Sequence, residues 1–323
     1  MIRIAYPAAI DGSLLVGFPN DVEFIPVHAK MEETVEVDIW IPEFNPTLAM
    51  RTWPHLRGVR LVLSLMAGTE WIPSTVGPHV TVCNARGAHN VSTAEWTIGA
   101  ILAMMKHFPF FMEMQREASW KRRSEANEEY VRISGDTRPN FPPVMIEDLA
   151  GKTVLLIGHG SIGKDIELML QPFHVNLIRM ARTARENPKV HAVTELNHLL
   201  PQADVVVLIL PSTAESRHLI SAHQMSLMRQ GCLLVNAARG PIVDTDALVA
   251  ALQSGRIRAA IDVTDPEPLP DGHPLWSCPN LLITPHVGGS SPNFTPRALA
   301  ITAAQVRRYI AGEPLENVVQ AAV

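Results

Sequence analysis

Cysteine is scarce: Cys83, Cys232 and Cys278 are the only three in 323 residues. They are too few and too scattered for a disulfide framework or a thiolate zinc site. A reducing, cytoplasmic setting fits them best. Tyrosine is as scarce. Four residues after Tyr6, Tyr130 and Tyr309 stand Ile10, Ser134 and Glu313, so the Tyr-x-x-x-Lys pair of a short-chain dehydrogenase is missing. Neither sign of charge dominates, with a formal net charge of −5. This argues against a nucleic-acid binder held by a basic field and against a polyacidic tail protein. Long apolar runs are lacking too. The longest helical one, Trp96 to Met105, stops at Lys106-His107, short of the ~20 residues that span a bilayer. The opening stretch is broken by Pro7 and stopped by Asp11, unlike a secretion signal. The thirteen histidines show no His-Glu-x-x-His or comparable spacing, so no metal is expected.

What the chain does have is a large apolar fraction, 47%, enough to bury a sizeable core. Its length suggests about two domains at ~150 residues each. Short apolar runs alternate with helical patterns. The runs are Ile2–Tyr6, Val59–Leu65, Val80–Cys83, Thr153–Ile157, Val175–Ile178, Val205–Leu210, Leu233–Asn236, Ala259–Asp262 and Leu281–Thr284. Their length and Val/Ile/Leu content predict strands buried on both faces. Ser161–Leu170, Ser221–Met228 and Asp246–Gln253 lie between them and read as crossover helices. The alternation predicts an α/β fold with parallel sheets. Ser92–Gln115 reads as one long helix, opened by Ser92/Thr93 with Glu95 in a capping-box position and ended or kinked at Pro109. Lys121–Pro143 is the most polar stretch and reads as a solvated linker or surface excursion.

Gly158-His159-Gly160-Ser161-Ile162-Gly163 is G-x-G-x-x-G. The pattern alone is weak, but a predicted strand runs into it and a helix follows. In that setting the first glycine makes a tight turn, the second admits a pyrophosphate and the third lets helix and strand pack closely. The helix N-terminus then faces the phosphates. Gly158 to Lys164 is also nearly a P-loop, but a triphosphatase needs Ser or Thr next, and the chain has Asp165.

The second strand of a dinucleotide unit commonly ends in an acid that binds the adenosine ribose. After Val175–Ile178 stand Arg179-Met180-Ala181-Arg182-Thr183-Ala184-Arg185, with no acid before Glu186. Arginine and threonine suit a 2′-phosphate, so NADP is favoured over NAD.

Three later segments each follow the carboxyl end of a predicted strand, where α/β sheets place their ligands. They are Asn236-Ala237-Ala238-Arg239-Gly240, Asp262-Val263-Thr264-Asp265-Pro266-Glu267-Pro268 and Pro285-His286-Val287-Gly288. Together they offer a guanidinium, a carboxylate and an imidazole. The ordered set of glycine loop, Asn-x-x-Arg-Gly, Asp-Val-x-x-x-Glu-Pro and Pro-His-x-Gly resembles the D-isomer-specific 2-hydroxyacid dehydrogenase family, and the resemblance covers most of the chain.

That resemblance implies two Rossmann-like or flavodoxin-like lobes, with the active site in the cleft between them. A dinucleotide-binding lobe, 101–290, is inserted into a discontinuous substrate lobe, 1–100 and 291–323. It implies Arg239, Glu267 and His286 as catalytic residues of a small 2-oxo acid reductase, of the glyoxylate or hydroxypyruvate kind. Arg239 would hold the substrate carboxylate and polarise its carbonyl. His286 would give the proton as hydride arrives from the nicotinamide, and Glu267 would orient that imidazole. Gly158, Gly160, Ser161, Ile162 and Gly163 would take the pyrophosphate, and Ala181, Arg182 and Thr183 the adenosine end. Leu210, Ala237, Asp262 and Gly288 would line the rest of an NADP(H) site, with NAD(H) as the alternative. Leu65-Met66-Ala67-Gly68-Thr69 resembles the loop whose backbone N–H groups bind the substrate carboxylate. There Met66, Ala67 and Gly68 would face substrate and Thr69 would approach the cofactor. A homodimer supported by the Ser92–Gln115 helix is also implied, without nucleic-acid or membrane partners.

The sequence departs from the family pattern in places. Glu70-Trp71 stands where Val-Asp is common. Asn84–Ala88 lacks the aromatic residue of some lactate-type members, which disfavours D-lactate dehydrogenase. The segment from Arg122 to Pro143 is longer than expected. A non-catalytic dinucleotide sensor on the same scaffold is the alternative function, and turnover on 2-oxo acids separates the two.

Overall fold

The computed structural model describes residues 1–135 and 146–322. The chain divides into two compact units, Met1–Asn90 with Ser290–Val323, and Val91–Gly289.

The first unit is built on a six-stranded sheet. From one edge the order is Val318–Gln320, Thr81–Cys83, Leu61–Leu63, Ile39–Trp40, Ile2–Pro7 and Val22–Val27. All pairs are parallel except that of the edge strand Val318–Gln320, which runs antiparallel to Thr81–Cys83. Successive side chains point to opposite faces. Ile4, Ile39, Leu61 and Leu63 therefore pack on one side, with Ala298, Leu299 and Val306 of the helix Phe294–Ala311. Ala5, Trp40 and Val62 pack on the other, with Ala49 and Ile72. The tail of the chain thus returns to complete the core of the first unit.

The second unit carries a wholly parallel seven-stranded sheet. Its order is His191–Ala192, Asn176–Ala181, Thr153–Ile157, Val205–Leu208, Cys232–Asn236, Ile257–Ile261 and Leu281–Ile283. The first strand in the chain, Thr153–Ile157, lies between the second and the fourth. The winding reverses there, which makes the gap beyond its carboxyl end a switch point. Both faces are dry. Leu155, Ile157, Val206, Leu208 and Leu234 fill one layer. Val154, Leu156, Val205, Val207 and Val235 fill the other, against Ile98, Ile101, Met104 and Met105. Among the described residues no helix is long and apolar enough to cross a membrane.

Two helical expectations change. The long helix is two: Asn90–Met105 and Phe108–Arg116. The break falls at His107, which takes the left-handed conformation at φ 54°. Pro109 sits in the first turn of the second helix, where its missing N–H costs nothing. Ser92 and Thr93 are buried inside the first helix, so they and Glu95 form no capping box. The polar stretch after Lys121 is also ordered where it is described. Trp120–Ser124 is a 3-10 turn and Glu125–Ser134 an α-helix. Polarity there masks an amphipathic pattern: Ala126 and Ile133 are buried, while Arg122 bridges Glu117 and Glu125 at 2.6 and 2.9 Å. Residues 136–143 of that stretch lie outside the described residues.

The helix Ser161–Leu170 lies tight on the strand before it. A Cβ on Gly163 would stand 2.2 Å from the carbonyl oxygen of Gly158. Helix propensity alone would make Gly163→Ala stabilising by ~1 kcal/mol. The clash reverses the sign, and we expect a net loss of about 1–3 kcal/mol. Urea denaturation of the two proteins checks this, and a more stable variant would show that helix and strand are not in close contact.

Candidate active site

Register explains why distant segments meet. Ile157 is paired with Met180, Leu208 with both Ile157 and Asn236, and Ile261 with both Asn236 and Ile283. The carboxyl ends therefore stand in a row, and the loops that leave them start side by side.

The glycine loop leaves the central strand. Gly158 has φ 112°, and a Cβ there would lie 2.1 Å from the carbonyl oxygen of Ile209. Gly160 is the N-cap of the helix and no side chain caps it. A Cβ on Gly160 would meet nothing within 4 Å. An open, uncapped helix N-terminus is a cradle for an anion, with Ser161 and Ile162 in its first turn. Beside it lies a cavity of about 370 Å³, lined by Gly158, Gly160, Met180, Ala181, Arg182 and Leu210 among others. Its size and largely aliphatic wall suit an adenosine group, so the residues present fit a dinucleotide. Thr183 is exposed and is not part of the wall.

The three arginines after the second strand separate. Arg179 donates to Glu167. Arg185 donates to the carbonyl oxygen and to Nδ1 of His159, both at 3.1 Å. A guanidinium only donates, so Nδ1 of His159 accepts and the ring proton sits on Nε2, which donates to Glu167 at 2.6 Å. This network stiffens the glycine loop from behind and occupies Arg179 and Arg185. Arg182 remains on the cavity wall.

The Asn-x-x-Arg pattern has a local cause. Asn236 is buried. Its Oδ1 accepts from the N–H of Ala238 at 3.0 Å, and its Nδ2 donates to the carbonyl of Arg239 at 3.1 Å. The side chain thus braces the turn that presents Arg239, whose Nη1 donates to Ala238 at 2.8 Å. A Cβ on Gly240 would lie 1.8 Å from the carbonyl oxygen of Thr264, so this loop is pressed against the one that bears Glu267. Thr245 Oγ1 adds a bond to the carbonyl of Asp265 at 2.8 Å. From there Glu267 Oε1 accepts from His286 Nδ1 at 2.5 Å. With Nδ1 turned to the carboxylate, Nε2 is the nitrogen left to exchange a proton.

Asp262 stands where the sequence expects a cofactor ligand, and its carboxylate also accepts three hydrogen bonds from its own corner of the sheet. Oδ1 accepts from Thr284 Oγ1 at 2.5 Å and from the N–H of Val287 at 2.9 Å. Oδ2 accepts from the N–H of Gly288 at 2.7 Å. The N–H of His286 donates to the Asp262 carbonyl at 2.7 Å. Asp262 therefore shapes the loop in which His286 takes φ 55°. Gly288 is buried between Asp262 and Trp96. The N–H of Ala237 is used within the sheet, donating to Leu208.

The expected substrate loop lies in the first unit. There the N–H of Met66 is spent on Ser64 Oγ at 3.1 Å. Among the described residues the N–H groups of Ala67, Gly68 and Thr69 have no acceptor, and Thr69 is buried. The cysteines take no part: burial pushes the Cys232 thiol up to about 12 and that of Cys83 up to about 11. Sequence reasoning missed Met180, Pro211, Thr213, Glu215 and Ser216 of the cavity wall. The signal was available, because Pro211–Ser216 follows a predicted strand next to the glycine loop.

Carboxylate, imidazole and guanidinium at the end of a doubly wound sheet, beside a dinucleotide cradle, are the equipment of a nicotinamide-dependent oxidoreductase. Comparison with known proteins narrows this class. Residues 98–288 match the family described as D-isomer specific 2-hydroxyacid dehydrogenase, NAD binding domain. Glyoxylate/hydroxypyruvate reductase B of Citrobacter koseri is 37% identical over 267 residues, covering 78% of this chain and 81% of that one. The chloroplastic/mitochondrial formate dehydrogenase of Arabidopsis thaliana is 31% identical over 271 residues, covering 81% and 66%. A crystal structure of a D-isomer specific 2-hydroxyacid dehydrogenase from Xanthobacter autotrophicus Py2, in complex with NADPH and MES, aligns with TM-score 0.78 at 27% identity, covering 99% and 98%. The chain belongs to the D-isomer specific 2-hydroxyacid dehydrogenase family.

Two outcomes follow from this geometry. The hydrogen bond from Arg179, helped by that from His159, pulls the Glu167 carboxyl down to about 2 from its ordinary 4.5. A depressed carboxyl stabilises the fold above pH ~4.5 and loses that contribution as pH falls toward 2. Glu167→Gln should cost on the order of 2 kcal/mol at neutral pH, with the gap to wild type closing in acid. Thermal melts from pH 7 to about 3 measure this, and a pH-independent gap would contradict it. Asp262→Asn places an amide among three donors and leaves a buried donor unpaired, a loss of about 1–3 kcal/mol. Hydrogen exchange should show faster exchange at Val287 and Gly288, and unchanged protection there would refute the bracing role.

Proposed function

We propose that this chain reduces a small 2-oxo acid, of the glyoxylate or hydroxypyruvate kind, to a D-2-hydroxy acid with NADPH. The observation that carries the reading is the 2.5 Å pair of His286 and Glu267, knit to the loop of Arg239 beyond the glycine cradle. Arg239 binds the substrate carboxylate and polarises the 2-oxo group. A nicotinamide dinucleotide held at the glycine cradle and by Arg182 would, in its reduced form, supply the hydride that the carbonyl carbon needs. His286 gives its Nε2 proton to the carbonyl oxygen, which becomes the hydroxyl. Glu267 holds the imidazole by Nδ1 and offsets the positive charge it carries before transfer.

Glyoxylate and hydroxypyruvate come from the name of the Citrobacter relative. Formate dehydrogenases are among the relatives as well, so a substrate panel is the decisive measurement. NADPH is supported by Arg182 on the cavity wall, by the missing acid after the second strand, and by the NADPH bound in the Xanthobacter structure. We read the enzyme as cytoplasmic and as a homodimer; the dimer is supported by Phe108, Met112, Trp120 and Trp276, large apolar side chains left exposed on the second unit.

With glyoxylate, hydroxypyruvate and pyruvate offered with NADPH, and formate with the oxidised cofactor, turnover should be fastest with the first two. Tight NADPH binding with no turnover on any of them would instead indicate a sensor. Arg239→Ala should lower kcat/KM about a hundredfold or more; wild-type kinetics would remove Arg239 from the mechanism. His286→Asn should lower kcat about a hundredfold or more, and a near wild-type rate would remove the imidazole from the proton transfer. Arg182→Ala should weaken NADPH about tenfold and NADH little; equal losses would overturn the 2′-phosphate assignment.

A further inference from the structure

The cavity that holds Arg182 also has an acid in its wall. Glu215, on the loop after Val205–Leu208, lines the same space as Arg182, Ala181 and Met180. It is exposed. Hydrogen bonds from Thr213 and from its own backbone draw its carboxyl below the usual carboxylate range, and the charge of Arg182 draws it further. At neutral pH a carboxylate therefore stands within electrostatic reach of the guanidinium.

We propose that Glu215 sets the cofactor preference of this enzyme, as an anion on the cavity wall that opposes a 2′-phosphate and competes with it for Arg182. The proposal rests on the reading that this cavity takes the adenosine end of a nicotinamide dinucleotide. The two cofactors differ there by one phosphate. NADH brings a neutral ribose hydroxyl, whereas NADPH brings close to two negative charges, and only NADPH must be accommodated against the carboxylate. At a separation of ~6 Å in a solvent-like medium, repulsion between one and two charges is worth roughly a tenfold change in binding. The chain thus carries opposing devices on one cavity: Arg182 draws the phosphate in and Glu215 moderates the draw. A strand end without an acid does not, by itself, make a site exclusive for NADPH.

The test is titration of the full-length wild-type chain and Glu215→Gln with NADPH and with NADH, by calorimetry. The variant should shift the ratio of the two dissociation constants toward NADPH by about 3- to 10-fold. Because the effect is charge repulsion at an exposed site, the shift should shrink as salt is raised. An unchanged ratio, a shift toward NADH, or a shift insensitive to salt would overturn the role of Glu215 while leaving the cavity assignment standing. If wild type binds neither dinucleotide, the cavity assignment fails and the proposal with it. Circular dichroism of the variant, expected to match wild type at this exposed position, separates a binding effect from misfolding.

Discussion

Four hydrogen bonds converge on Asp262, three on its carboxylate and one on its carbonyl, and the geometry of the reacting corner follows from them. A histidine at positive φ costs free energy unless its surroundings hold it there. Asp262 supplies that hold on both sides of His286, through Thr284 before it and Val287 and Gly288 after it. The imidazole then meets Glu267 across the loop, and the two carboxylates divide the work. The buried one fixes the backbone; the exposed one faces the ring of His286. Neither could replace the other, since the first is held by three donors of its own loop and the second meets the imidazole alone.

Underneath lies a simpler constraint. Parallel strands in matched register end together, so residues as far apart in sequence as Gly158 and His286 leave the sheet along one edge. Close backbone approach then replaces side chains as the means of bringing loops together. Gly240 against Thr264 is the clearest instance. A side chain of any size at position 240 would push apart the loops that bear Arg239 and Glu267.

Much of this was legible in the sequence, for identifiable reasons. Strands covered on both faces must be apolar throughout, so Thr153–Ile157 and Val205–Leu208 stand out as runs. Family membership was legible because the glycines, Asn236 and the prolines serve backbone geometry that tolerates few substitutes. What escaped notice is equally specific. Val22–Val27 is an edge strand with Glu23 and Pro26 and has no continuous run. Ile39–Trp40 is only two residues long. Glu125–Ser134 hides two buried positions among charges. Glu167 and Glu215 act on groups brought near by tertiary contact, so no local pattern marks them. Asp262 was visible as an acid at a strand end, yet the partners that make it a brace lie more than twenty residues downstream, where no local pattern marks them.

The strand that delivers His286 is one of the two edge strands of the seven and pairs through three residues, Leu281–Ile283. Edge segments with few pairings open at free energies well below that of global unfolding. The sheet can therefore stay intact while this strand frays and carries His286 away from Glu267. Warming or mild denaturant would silence a population of molecules that still look native by their bulk secondary structure. The pair that the site depends on thus hangs on three residues of edge pairing, while the core strands beneath it are buried on both faces.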